Sequence, residues 1–197
     1  CSALKPLLSS NKEAFEKLEN IENSFANVMQ EKMQNMWASK LGLEKFDFEF
    51  FAELINLMID TKVDYTIFFR ELSNIVDDIS NIEKSFYVNL ENDILKQRWN
   101  SWFENWKVKI NVNDEESKQK LSNQMKVTNP KYTLREWHLV WAYQEAQNGN
   151  YEPVNELQEI MTKPYEEQTK EIEEKYYTKK PKDFFGIAGI SHVSCSS

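Results

Sequence analysis

The sequence is poor in residues that interrupt helices and in residues that crosslink chains. Only four glycines and five prolines occur among 197 residues, which argues against a turn-rich β-fold and favours long helices. The two cysteines, Cys1 and Cys195, are too few for a disulfide framework. No apolar run approaches the roughly 18 residues of a membrane span. A net charge of −8 argues against general binding to nucleic acid or to anionic membranes.

Recognisable catalytic motifs are also missing. The chain has no glycine-rich phosphate loop, no kinase-type HRD or DFG triplet, and neither a GxSxG nor an HExxH pattern. It begins at Cys1, without an initiator methionine or a signal-like segment. We therefore expect a piece of a longer protein that lacks catalytic residues of its own.

What the sequence does contain is apolar residues at helical spacing, with 41% hydrophobic and 13% aromatic residues overall. Capping residues predict where helices begin. These predicted starts are Ser10, Asp47, Asp64, Ser80, Asn113 and Asn129 with Pro130 at the first helical position. The first helix carries an apolar stripe from Phe15 to Trp37, and two late helices are predicted at 153–161 and 164–177. Only residues 107–112 alternate like a strand, and that strand would have no partner.

The predicted fold is therefore an all-α, multi-helix array with an irregular C-terminal tail. We place a helical domain at residues 1–178 and a flexible tail at residues 179–197, where periodicity is lost after Lys179-Lys180-Pro181.

Aromatic and acidic clusters have two interpretations each. Trp99, Trp102 and Trp106 share one helical face, so they form either part of the core or a platform for a base or sugar, and packing is the preferred interpretation. The same holds for Trp137 and Trp141. The acidic run 166–174 is interpreted as a solvated helix face with a Lys170–Glu174 pair.

Further polar residues stand beside predicted helices. Arg70 and Arg135 could each pair with a buried carboxylate or reach a catalytic core, and pairing is preferred. Asn129 and Tyr132 are interpreted as parts of a helix start.

Metal binding has little support in the sequence. His192 and Cys195 form an HxxC pair, but zinc needs two further ligands, and only His138 and Cys1 remain as histidine or cysteine. Asp77-Asp78 would hold a metal only with carboxylates from elsewhere. We predict no metal site in this chain.

Cys195 is the candidate functional residue. It stands near the C-terminus between serines, in a stretch with little to bury it. An exposed thiol has a pKa near about 8.5 and retains some thiolate at neutral pH, which suits reversible disulfide exchange better than packing. The residues alone thus suggest a redox role.

Several segments together resemble the C-terminal part of the selenoprotein O family. They are NPKYTLREW (129–137), AQNGNYEPVNELQEIMTKPYEEQ (146–168) and the terminal SCSS (194–197), with KLGL (40–43), DYTIFFRELS (64–73) and WFENW (102–106) upstream. The resemblance extends over nearly the whole chain in order.

The resemblance implies a protein adenylyltransferase with a kinase-like fold. Such an enzyme binds ATP and Mg²⁺ and transfers AMP to Ser, Thr or Tyr hydroxyls of proteins, with attack at the α-phosphorus and release of pyrophosphate. The family's nucleotide- and metal-binding residues all precede the position matching Cys1, so none is assigned here. This chain alone is expected to be inactive, to bind no cofactor, and to support its own N-terminal kinase-like domain.

The resemblance also bears on the tail and on location. Cys195 matches the family's C-terminal cysteine or selenocysteine, which the family links to redox control through a disulfide with the activation segment. The expected location is intracellular, in the bacterial cytoplasm or the mitochondrion. The alternative to an enzyme piece is a free-standing helical module that binds a protein partner without catalysis.

Overall fold

The structure, a computed structural model, describes residues 2–8, 10–91 and 93–186, and the regular elements among them are helices. The α-helices are α1 (Lys5–Leu8), α2 (Lys12–Leu41), α3 (Phe48–Thr61), α4 (Tyr65–Leu72), α5 (Asp93–Ile110), α6 (Glu115–Thr128), α7 (Glu136–Gln147), α8 (Glu152–Thr162) and α9 (Lys170–Tyr176). Short 3-10 helices occupy Ser2–Leu4, Ile79–Ser85 and Lys182–Phe184. Within the described part of the chain the only β-type pairing is an isolated bridge between Val63 and Phe86. The predicted all-α array is confirmed.

Local capping explains most of the helix boundaries. The carboxylates of Asp47 and Asp64 accept hydrogen bonds from the backbone N–H groups of Phe50 and Ile67, at 3.0 and 3.1 Å, so α3 and α4 begin where predicted. Helix α2 ends at Gly42, whose φ of 69° lies in the left-handed region that glycine adopts without strain. A Cβ at this position would also lie 2.7 Å from the Met125 sulfur.

Several predicted boundaries are wrong. Asn11, not Ser10, caps α2, and Asp78, not Ser80, caps the 3-10 helix that follows. Residues 107–110 complete α5 instead of forming a strand, because Ile110 lies four residues after Trp106 and packs on the same side of the helix.

The late helices differ from the prediction as well. Asn129-Pro130 does not begin a helix: Asn129 is the C-cap of α6, and α7 begins only at Glu136. Helix α8 agrees closely with its prediction. Helix α9 is shorter than predicted because residues 163–169 form a turn and an extended stretch, and Thr169 caps the helix.

The buried apolar side chains form two cores. The first core lies among α3, α4, α5, the 3-10 helix Ile79–Ser85 and the C-terminal end of α2. The second core is smaller and lies among α7, α8 and α9, with Ile67 and Tyr132 contributing. The domain boundary predicted at residue 178 stays a prediction, and residues 187–197 lie outside the described residues.

Candidate functional site

The segment 129–135 joins α6 to α7, and we call it the connector. Its first residue, Asn129, is completely buried, and its amide donates hydrogen bonds to the Lys40 carbonyl at 2.9 Å and to the Ser73 hydroxyl at 3.0 Å. Its side-chain oxygen accepts a hydrogen bond from the Lys40 ammonium at 3.1 Å. One amide therefore ties the ends of three helices, α2, α4 and α6, to one another.

A group of charged side chains lies beside the connector. Arg70 is almost wholly buried and donates to the carbonyls of Lys126 and Asn129, at 3.2 and 3.1 Å, and to the Glu167 carboxylate at 2.6 Å. Lys131, also buried, pairs with Glu167 and, at 2.8 Å, with Glu173. We call Arg70, Lys131, Glu167 and Glu173 the ion-pair cluster.

The contacts within the ion-pair cluster shift the pKa values of Lys131 and Glu167. Burial opposes the charge on Lys131, but hydrogen bonds to Glu167 and Glu173 outweigh burial and raise the Lys131 pKa. Partial burial likewise opposes ionisation of Glu167, yet hydrogen bonds from Lys131 and Arg70 lower its pKa. Lys131 and Glu167 are therefore charged at neutral pH, and the four side chains are paired with one another, which suits them to holding helices together.

Arg135, at the end of the connector, pairs with a buried carboxylate, as predicted. Its guanidinium makes two hydrogen bonds with Asp64, at 2.6 and 2.9 Å, while Asp64 also caps α4. Such a two-point pair fixes orientation as well as distance. It thereby sets the start of α7 against the start of α4.

The acidic run 166–174 is only in part a solvated helix face. Lys170 and Glu174 form the predicted exposed pair, with 3.5 Å between nitrogen and oxygen. Glu167 and Glu173, however, neutralise the buried Lys131. Sequence inspection missed this role because Lys131 lies 36 residues from Glu167 and 42 residues from Glu173.

The predicted aromatic platform is part of the first core. Trp99, Trp102 and Trp106 are buried, and the Trp102 and Trp106 indoles donate to backbone carbonyls of Phe50 and Leu41. Their faces stack on core rings, with Trp102 4.8 Å from Phe50. The preferred packing interpretation is confirmed, and these rings offer no open surface to a base or sugar.

The residues considered for metal binding are not brought together. No group of three or more His, Cys, Asp or Glu side chains within residues 2–8, 10–91 and 93–186 could hold a metal ion. Asp77 pairs with Lys118 at 3.5 Å, and Asp78 caps a 3-10 helix. Cys1, His192 and the redox candidate Cys195 lie outside the described residues, so the role of Cys195 stays a prediction.

The apolar stripe of α2 divides into a covered and an uncovered part. Towards the C-terminal end, Trp37 packs against Phe51 with 4.4 Å between ring centroids, and Ala38 and Leu41 are buried. Earlier in the helix, the stripe is exposed to solvent. These exposed residues, which we call the open stripe, are Ile21, Phe25, Val28, Met29 and Met33.

Uncovered apolar surface of this kind is typical of a protein-binding face. Phe25 is 61% exposed and Ile21 59% exposed, although both project from the same side of a helix as the buried Leu18. No described helix is both long and apolar enough to span a bilayer. The open stripe therefore resembles an interface helix.

Comparison with known proteins identifies the family of this chain. A family model described as protein adenylyltransferase SelO matches residues 2–162, and the chain belongs to the SelO family. A protein nucleotidyltransferase YdiU from Flavobacterium johnsoniae is 32% identical over 100% of this chain and 38% of its own length. Proteins of the same name from Tolumonas auensis and Aromatoleum aromaticum are each 30% identical over 88% of this chain and 34% of their own length. The chain thus spans little more than a third of these curated relatives, and the resemblance stated from its motifs is confirmed.

Proposed function

We propose that this chain is the helical part of a longer nucleotidyltransferase that transfers AMP from ATP to Ser, Thr or Tyr hydroxyls of proteins, with Mg²⁺. The observation that carries the proposal is the family match over residues 2–162. Names of relatives that include nucleotidyltransferase support the class of reaction. The nucleotide and metal ion would be held by residues outside this chain, since the chain has no phosphate-binding or metal-binding motif.

Labelled ATP tests this proposal. The longer protein is incubated with Mg²⁺ and ATP labelled at the α-phosphate, and label is sought on protein under reducing conditions. We expect labelled protein from the longer form and none from the 197-residue chain alone. Binding of ATP without any transfer would contradict the proposed reaction. Self-labelling by the 197-residue chain alone would contradict the proposal that the nucleotide is held outside this chain.

The open stripe is proposed as the surface that the remainder of the longer protein covers. The relatives carry most of their length outside the matched part, and that remainder needs a contact with this chain. A stripe from Ile21 to Met33 extends along about 18 Å of helix at 1.5 Å per residue, enough for a substantial packing face. Burying exposed apolar surface contributes about 25 cal/mol per Å².

Matched aspartate substitutions test the contact. Phe25 lies in the open stripe, whereas Asn27 is exposed on the opposite side of α2. Phe25→Asp should lower the thermal midpoint of the longer protein and leave that of the 197-residue chain unchanged. Asn27→Asp should change neither midpoint. Equal midpoints for wild type and Phe25→Asp in the longer protein would contradict the proposed contact.

A redox role for Cys195 completes the proposal. Its thiol and that of a second cysteine in the remainder of the protein would form a disulfide, and the two thiols together would lose two protons to solvent and two electrons to an oxidant. Cys195→Ser in the longer protein should abolish the dependence of AMP transfer on oxidant. Transfer that responds to oxidant equally in wild type and variant would exclude this role.

A further inference from the structure

A cavity of about 330 Å³ lies between the start of α7, the end of α9 and the segment that follows α9. Its walls include the rings of Trp137, Trp141 and Tyr176 together with Pro181, and Lys175 stands at one side. This volume falls at the lower end of the range of small-molecule sites, about 300–1,000 Å³. The proposed transfer reaction makes no use of this cavity.

One polar side chain of the cavity wall lacks a partner. His138 is 8% exposed, and its ring contacts Trp137 and Tyr176 at centroid distances of 5.3 and 5.0 Å. Its imidazole nitrogens make no hydrogen bond or ion pair with the residues the structure describes. The neighbouring Trp137 indole nitrogen is buried and also unpaired there. Buried polar atoms normally have hydrogen-bond partners, and leaving one unpaired costs about 1–3 kcal/mol.

Two other polar groups of the wall, Tyr176 and Lys175, already have partners. The Tyr176 hydroxyl donates to Glu156 at 2.5 Å, and the Lys175 ammonium pairs with the same carboxylate. That ammonium also lies 4.7 Å from the centroid of the Trp141 ring. Hydrogen-bonding capacity for a ligand is therefore left at His138, at the Trp137 indole nitrogen and at the Thr178 hydroxyl, which makes no hydrogen bond with the described residues.

The charge state of His138 restricts what the ligand can be. Burial, followed by the nearby positive charges of Arg135 and Lys175, lowers the pKa of His138 to about 4. The imidazole is thus neutral at pH 7 and offers one donor and one acceptor. Lys175 and Arg135 disfavour a cationic ligand, and Lys175 gains little from an anion because Glu156 already neutralises it.

We propose that this cavity binds a small neutral aromatic molecule of the phenol class, whose ring lies among the aromatic side chains and whose hydroxyl hydrogen-bonds with His138. The aromatic wall favours a planar ring, since stacked and edge-to-face contacts contribute about 0.5–1.5 kcal/mol beyond area burial. The unpaired imidazole and the buried, unpaired Trp137 indole nitrogen favour a hydroxyl over a purely apolar substituent, because only the hydroxyl can hydrogen-bond with them. The proposal is independent of the proposed AMP transfer.

Histidine NMR of the 197-residue chain tests the site. The chain has two histidines, so ring resonances of His138 are assigned by comparison with His192→Gln. Phenol is titrated against the wild type, with toluene as a ring without hydroxyl and cyclohexanol as a hydroxyl without an aromatic ring. We expect phenol to shift the His138 signals saturably and to bind at least about tenfold more tightly than either analogue, or 1.4 kcal/mol. No saturable shift up to the order of 100 mM phenol, or equal affinity for phenol and toluene, would overturn the proposal.

Two substitutions and a measurement on the longer protein test phenol binding further. His138→Phe keeps a ring but loses both nitrogens, so phenol should bind it no better than toluene does. Tyr143→Ala, an exposed position on the same helix, should leave phenol binding unchanged. Should the longer protein lose phenol binding, the cavity would be filled by a protein side chain, and the assignment to a small molecule would be wrong.

Discussion

The first core contains three tryptophans and several phenylalanines that are almost fully buried, whereas the second core contains three tyrosines and only small or aliphatic side chains besides. Around the second core, charged and amide groups of the connector and of residues 163–177 add hydrogen bonds and ion pairs to the packing of the tyrosine rings. The first core is therefore stabilised mainly by apolar burial, which is not directional. The second is positioned by hydrogen bonds and ion pairs, which demand particular geometry.

This difference explains why the two regions respond differently to change. Removal of a large buried ring loses transfer free energy and leaves a cavity. Removal of a polar group in the connector leaves its former partner without a hydrogen bond. The resulting loss in the free energy of unfolding is smaller, and it depends on how well water can replace the removed group. Substitutions at four positions measure this contrast, and they are given in order of decreasing expected loss in the free energy of unfolding.

Trp106→Ala should cause the largest loss. Trp106 is fully buried, and its indole donates to the Leu41 carbonyl at 2.8 Å. We expect the free energy of unfolding in urea to fall by about 3–5 kcal/mol. Trp141→Ala is the control, because Trp141 is 36% exposed, and it should cost about 1 kcal/mol. Equal losses at the two positions would mean that burial of the Trp106 ring does not set the size of the loss.

His138 should make the second core sensitive to acid. Its pKa of about 4 in the folded chain lies below its ordinary value of 6.5, so the unfolded chain binds more protons between these pH values. The contribution of neutral His138 to the free energy of unfolding is fully present above pH 6.5. It falls by about 3 kcal/mol as the pH decreases to 4. The measurement is urea unfolding of wild type and His138→Phe from pH 4 to 7. A difference between the two proteins that stays constant with pH would contradict this prediction.

Asn129→Ala should have an intermediate effect. The substitution leaves the Lys40 carbonyl and the Ser73 hydroxyl without their buried donor. We expect a loss of about 2 kcal/mol in the free energy of unfolding. Asn123→Ala, at an exposed position on α6, should change it by less than about 0.5 kcal/mol. A loss at Asn129 as small as that at Asn123 would mean that the connector does not hold the helices together.

Lys170→Met should have the smallest effect. Lys170 and Glu174 form an exposed pair on α9, and pairs of this kind contribute about 0.3–0.5 kcal/mol. The loss should fall within that range and decrease in high salt, as followed by urea unfolding at two ionic strengths. A loss above about 1 kcal/mol would indicate that surface pairs, and not only the ion-pair cluster, stabilise this region.

Sequence alone predicted the first core better than the second for a physical reason. Asp47 and Asp64 cap helices through hydrogen bonds that reach three residues along the chain, and the α5 tryptophans repeat at the helical period. Signals of this kind are local and can be recognised in the sequence.

The connector gave a misleading local signal. Asn129-Pro130 has the form of a helix start, but the Asn129 amide is engaged by residues 56 and 89 positions away, and the new helix begins only at Glu136. The partners of Lys131 are equally distant in sequence. The family could be predicted from ordered motifs, whereas the cavity around His138 could not, because three separate segments form its wall.

The proposed contact through the open stripe is tested most directly by AMP transfer. Transfer is measured with α-labelled ATP for the longer protein carrying Phe25→Asp or Asn27→Asp. We predict that Phe25→Asp lowers transfer at least about tenfold, a loss of 1.4 kcal/mol, while Asn27→Asp retains the activity of the wild type. Unchanged transfer in Phe25→Asp would contradict the assignment of the open stripe as the contact between this helical part and the rest of the enzyme.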